Sequence, residues 1–191
     1  MIIDTVNKRA FIHVPKSGLT TLRDYFANKN GFIFISEAHE PFEYYQDSVI
    51  KHDVKEFVCF LRHPADWFLS YFAHSRLHNI NRKKTLNGID YFVKNFTNLY
   101  NEFIDKMCPE NTIFYPLESM DKIISDMGYG QIKVHQNVTI NFRNNTIEQK
   151  NFDVIMNHYN DEKWSNYKQI STIKERKEDV THIGHYRYRI R

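Results

Sequence analysis

Lys16, Ser17, Thr20 and Thr21 crowd around Gly18, directly after the apolar run Ala10 to Val14 that Pro15 brings to a stop. An ammonium, three hydroxyls and the N–H groups of a helix start are the donors that hold a phosphate or a sulfate. Gly18 allows a close approach or a backbone conformation that a side chain would block. A glycine turn beside a surface lysine is common in chains that bind nothing, so the reading gains weight from a second place. The next strongly apolar stretch, Glu56 to Leu61, ends in Arg62, and Ser70 follows eight positions later. That spacing puts Arg62 at the carboxyl edge of a strand and Ser70 about two turns into the next helix. Ligands of open α/β sheets sit at that edge. One phosphate on the loop and another on Arg62 and Ser70 describe a nucleotide with two separated phosphate groups.

The elements that must position these residues alternate between strand and helix, which predicts an α/β fold with a mainly parallel central sheet of about four to five strands flanked by helices. Strands are expected at Arg9 to Val14, Phe32 to Ile35, Glu56 to Leu61 and Thr112 to Tyr115, and a mixture of loop and helix from His39 to Ile50. Helices are expected at Leu19 to Asn28, Ala65 to Arg76, Glu118 to Met127, and in one or two pieces between Thr146 and Tyr167. A single long amphipathic helix is expected from Ile89 to Met107, with Phe92, Phe96, Tyr100 and Phe103 as core. Residues 1–170 read as one domain and 171–191 as a charged tail.

The composition suits this picture. The chain has 191 residues, 41% of them hydrophobic, enough for a substantial core. A net charge of +3 does not call for nucleic acid, and it is compatible with a local basic pocket for a small polyanion. Cys59 and Cys108 form no disulfide framework or zinc motif. No apolar run approaches the roughly 18 residues of a membrane span, and no signal-peptide pattern opens the chain, so a cytoplasmic protein is expected.

With both motifs in view, the chain resembles the sulfotransferases that use 3′-phosphoadenosine 5′-phosphosulfate (PAPS). Pro15-Lys16-Ser17-Gly18-Leu19-Thr20 is similar to their first loop, and Arg62-His63-Pro64 followed by Ser70-Tyr71 is similar to their second motif. The resemblance is strongest over Ala10 to Arg76. It implies the sulfotransferase fold, with a P-loop-like central parallel sheet, and PAPS as co-substrate with no metal required. It further implies that Lys16, Ser17, Gly18, Leu19, Thr20 and Thr21 hold the 5′-phosphosulfate and that Arg62 and Ser70 hold the 3′-phosphate. His135-Gln136-Asn137-Val138-Thr139, and the spacing of Tyr159, Asp161, Trp164 and Tyr167, are similar to segments of the carbohydrate enzymes and point to a glycan acceptor. Two positions depart from the pattern. Leu19 stands where a small or hydroxyl residue is common, and Thr21 where cytosolic members often stack a tryptophan on adenine.

Sulfuryl transfer needs a base for the acceptor hydroxyl and fixed positive charge for the leaving phosphate. Lys16 is expected to supply the charge. His39, after the second expected strand and 23 positions before Arg62, is expected to be the base, with Glu37, Glu40 and Glu43 as rivals. A histidine just after this strand is also a feature of several carbohydrate sulfotransferases. His39 on a wet loop, or capping the helix at Pro41, is the plainer alternative. His74 and His78 have a metal-like spacing but no third ligand, Arg76 could reach cofactor or acceptor or form an ordinary surface salt bridge, and the Arg82-Lys83-Lys84 cluster reads as a solvated charge run. Two other functions fit the same cradle: a P-loop-like nucleotide kinase, disfavoured because Lys16 precedes Gly18 instead of following a second glycine, and a non-catalytic nucleotide- or glycan-binding relative.

Overall fold

The computed structural model describes residues 1–35, 39–77, 88–132 and 149–159. Its strands are β1 (Ile2–Asp4), β2 (Arg9–Ile12), β3 (Phe32–Phe34), β4 (Glu56–Leu61) and β5 (Thr112–Pro116). Its helices are α1 (Leu19–Phe26), α2 (Gln46–Lys51), α3 (Pro64–Leu77), α4 (Gly88–Asn95), α5 (Leu99–Met107), α6 (Met120–Asp126) and α7 (Gln149–His158), with short 3₁₀ turns at Phe42–Tyr45 and Leu117–Ser119. The chain divides into two compact units, Met1–Arg62 with Leu99–Thr139, and His63–Asn98 with Ile140–Arg191.

The first unit contains a five-stranded sheet in the order β3-β1-β2-β4-β5. It is α/β, as the sequence predicts, but the sheet is mixed where a mainly parallel one is expected. β2 runs parallel to β4 and β4 to β5, whereas β1 is antiparallel to both β2 and β3. Four strands therefore point one way, and the three-residue β1 opposes them. β1 is too short for any periodicity to announce it. A side-chain turn makes it: Asp4 Oδ1 accepts the backbone N–H groups of Val6 and Asn7 at 2.9 and 3.0 Å, and the chain reverses into β2.

β4 lies between β2 and β5, and everything in it after Glu56 is buried, which explains its nearly unbroken apolar sequence. Because side chains alternate across a sheet, Val58 and Phe60 face one side and Phe57 and Cys59 the other. On the first side Val58 and Phe60 join Ile2, Phe11, Leu22, Phe26, Met120, Ile124 and Ile132, so α1 and α6 share one core. On the second side Phe42 meets Phe57 edge to face, with ring centroids 5.5 Å apart.

The connections place a topological switch at the end of β2. From β2 the chain crosses through α1 to β3, beyond β1, and then returns to β4 on the opposite flank of β2. The loops leave β2 and β4 in opposite senses at the carboxyl ends of the strands, the place where ligands of such sheets bind.

In the second unit α3, α4 and α7 pack together. Pro64 opens α3 in the first turn, where its missing N–H costs nothing. The single helix expected from Ile89 to Met107 is two, α4 and α5, broken at Phe96 to Asn98. At the break Thr97 Oγ1 donates to the Val93 carbonyl at 2.7 Å, and just before it Asn95 Nδ2 donates to the Tyr91 carbonyl at 2.8 Å. Such side-chain bonds compete with helix continuation. Tyr159 is buried and donates to the Thr97 carbonyl at 2.6 Å. No helix of the described residues is long and apolar enough to cross a membrane.

Candidate functional site

The loop after β2 makes two left-handed turns of the backbone within three residues. Lys16 has φ 66° and Gly18 has φ 84°. The first is unusual for a residue with a Cβ and marks a conformation the surrounding structure imposes. It lies inside the turn that the Ser17 N–H closes by bonding to the Val14 carbonyl at 3.3 Å, with Pro15 and Lys16 as the central residues. Gly18 then serves as the N-cap of α1 without contributing a side chain, and the Leu22 N–H returns to its carbonyl at 3.2 Å. The helix start thus presents its positive end beside Lys16.

Gly18 is required by space as well as by φ. A Cβ there would lie 2.6 Å from Leu117 Cδ1, in the 3₁₀ turn that follows β5. Leu19, the departure from the family loop, packs its side chain against the core shared by α1 and α6. The side chain that replaces a small residue is thus spent on packing, while its N–H still belongs to the helix start.

Lys16 and Arg62 converge from the ends of β2 and β4. Burial first, and then the positive charge of Arg62, hold the Lys16 ammonium below the ordinary lysine pKa. Among the described residues neither cation has an ion-pair partner. Two like charges held near each other at the switch point repel, and an anion placed between them would turn that repulsion into attraction.

Tyr100 of α5 joins the two loops. It is completely buried, yet its hydroxyl accepts the Arg62 N–H at 2.8 Å, donates to the Arg62 carbonyl at 3.0 Å and lies 3.5 Å from Ser17 Oγ. Desolvation raises its pKa well above the ordinary phenol value, so the hydroxyl keeps its proton. The sequence alone puts Tyr100 in a core stripe with Phe92, Phe96 and Phe103. The one available signal was the single phenol among Phe92, Phe96 and Phe103, since a buried Tyr hydroxyl needs partners.

His39 stands close to the same edge. Its ring meets His13 edge-on with centroids 5.5 Å apart. The residue as a whole remains exposed, while the ring is partly covered. That cover leads the causes that lower its pKa, ahead of the positive charges of the chain's amino terminus and of Lys16; a bond to the His13 backbone acts in the other direction. His39 is therefore a neutral imidazole at neutral pH and able to accept a proton. His13 is buried, its Nδ1 has no hydrogen-bond partner among the described residues, and desolvation pulls its pKa down to about 2.

The structure therefore brings Lys16, Ser17, Gly18, Leu19, Arg62 and His39 into the first unit around one sheet edge. Ser17 is buried and faces Tyr100; Thr20 is exposed and Thr21 buried in the first turn of α1. Of the rival carboxylates, Glu40 is half-buried and Glu43 exposed, and Glu37 lies outside the described residues. Ser70 belongs to the second unit, on α3, where its Oγ is buried with no hydrogen-bond partner among the described residues. Also outside the described residues are 135–139, Asp161, Trp164, Tyr167, His78, the 82–84 cluster and the 171–191 tail. Among the described residues no group of three His, Cys, Asp or Glu is arranged to hold a metal ion. Compared with known proteins, the chain matches no family model, no curated protein and no solved structure.

Proposed function

We propose that the chain is a sulfotransferase that moves a sulfuryl group from PAPS to a carbohydrate hydroxyl. The observation that carries this reading is the convergence of Lys16 and Arg62 at the carboxyl ends of two adjacent parallel strands, with the left-handed Gly18 turn and the start of α1 beside them. Two cations borne by two different loops suit one ligand with two separated anionic groups better than a single phosphate. The motif resemblance supplies the identity of that ligand and the fold name, and Ser70 enters through the resemblance alone.

In this reaction His39 takes the proton of the acceptor hydroxyl as its oxygen forms a bond to sulfur. The bond between sulfur and the bridging oxygen of the 5′-phosphate breaks, and that oxygen keeps the electron pair. Lys16 and the N–H groups at the start of α1 stabilise the charge that develops there. The products are the sulfated acceptor, 3′-phosphoadenosine 5′-phosphate and the proton on His39. Transfer of ³⁵S from labelled PAPS to a panel of glycans, phenols and amines tests the proposal. Labelled glycan with the native protein and none with Lys16→Ala is the expected result. Product on phenols or amines alone changes the acceptor class, and no labelled product with any acceptor overturns the proposal.

A further inference from the structure

We propose that Tyr100 is a positioning residue that holds Lys16 and Arg62 together for one ligand. Its phenol has one hydrogen, which goes to the Arg62 carbonyl, so it receives the Arg62 N–H and, over a longer 3.5 Å, the Ser17 hydroxyl. Both Arg62 contacts lie on the backbone. They fix where the strand ends without engaging the guanidinium, which stays available for a ligand. The Ser17 contact touches the loop one residue beyond Lys16, so a single buried oxygen joins the two loops at the switch point.

The chemistry makes such a tie useful. Lys16 and Arg62 repel, and Lys16 occupies a left-handed backbone conformation, so the two loop ends need a contact that holds them together. A fully buried hydroxyl with three partners opposes that repulsion, and its removal would leave the Arg62 peptide groups short of a partner. The phenyl ring alone supplies the packing. Tyr100→Phe therefore separates the tie from the core.

The assignment rests on the two-cation reading of the site, and the experiment separates the two. Titration of the Lys16 ammonium by NMR on ¹³C-labelled lysine is read for the native protein, Tyr100→Phe, Ser17→Ala and Arg62→Ala, without any nucleotide. With the tie cut, the Lys16 pKa moves up, toward its value in Arg62→Ala. Calorimetry with 3′-phosphoadenosine 5′-phosphate should show about a tenfold weaker affinity for Tyr100→Phe, the size of effect that follows the loss of buried hydrogen bonds. The affinity for adenosine 5′-phosphate, which carries one of the two groups, should fall by only about twofold by the same reckoning. A Lys16 titration identical to the native one in both Tyr100→Phe and Ser17→Ala overturns the tie. So does an equal loss for both nucleotides accompanied by a lower melting temperature, because that is the mark of a core residue. If the native protein binds neither nucleotide, the nucleotide reading fails and the lysine titration still decides the role of Tyr100. Should Tyr100→Phe not fold, Ser17→Ala decides it.

Discussion

The N-cap of α1 is in contact with the turn that leaves β5: a Cβ on Gly18 would stand 2.6 Å from Leu117 Cδ1, at a backbone φ of 84°. Gly18→Ala therefore meets two penalties, a left-handed backbone and a crowded methyl. A loss of about 1–2 kcal/mol in urea unfolding is expected. The steric part resides in a movable side-chain end, so in Gly18→Ala/Leu117→Ala the combined loss is smaller than the sum of the two single losses. Strict additivity would show that the leucine does not press on the turn.

His13 makes stability depend on pH. In the folded protein its pKa is about 2, far below the ordinary 6.5, because the ring is buried. The unfolded chain takes up this proton as pH falls through about 6.5 and the folded chain does not, so the stability held above that pH is lost progressively below it. Between pH 7 and pH 5 this one group accounts for about 2 kcal/mol. His13→Phe removes the term. Urea unfolding of the two proteins at both pH values should show the native protein losing ground to the variant by that amount, and an unchanged gap would mean that His13 is protonated in the fold.

For the sulfuryl transfer proposed above, the same logic gives the expected rate profile. His39 must be neutral to accept a proton, and its pKa is lowered, so kcat/KM rises with pH and reaches half its plateau below 6.5. Lys16 must be charged, and its pKa is lowered too, so the rate falls again below the ordinary lysine value. In His39→Ala the acidic limb disappears and turnover drops by about a hundredfold or more. An acidic limb retained in that variant transfers the base to Glu40 or Glu43.

What was legible in the sequence followed from strong, local signals. β4 is an apolar run buried on both faces, α3 begins at Pro64, and the Lys16-Ser17-Gly18 turn follows a strand. The unread parts depend on partners distant in the chain or on single dihedrals. β1 has three residues and exists because it pairs with β2 and β3. The break between α4 and α5 lies inside a continuous aromatic stripe, and the side-chain bonds of Asn95 and Thr97 mark it. Nothing in the letters says that Lys16 takes φ 66°, or that the hydroxyl of Tyr100 reaches Arg62, 38 positions earlier in the chain. The residues of the proposed anion site were thus legible one by one, while the Tyr100 contacts and the left-handed backbone of Lys16 are properties of the fold.

The central claim is that Lys16 and Arg62 serve one ligand with two separated anionic groups, and calorimetric titration of the native protein tests it most directly. 3′-Phosphoadenosine 5′-phosphate should bind at least about tenfold more tightly than ATP, and Lys16→Ala and Arg62→Ala should each weaken it by a similar factor, the scale of one charge-assisted hydrogen bond. Equal affinity for ATP, or a bisphosphate affinity untouched by either substitution, would contradict it.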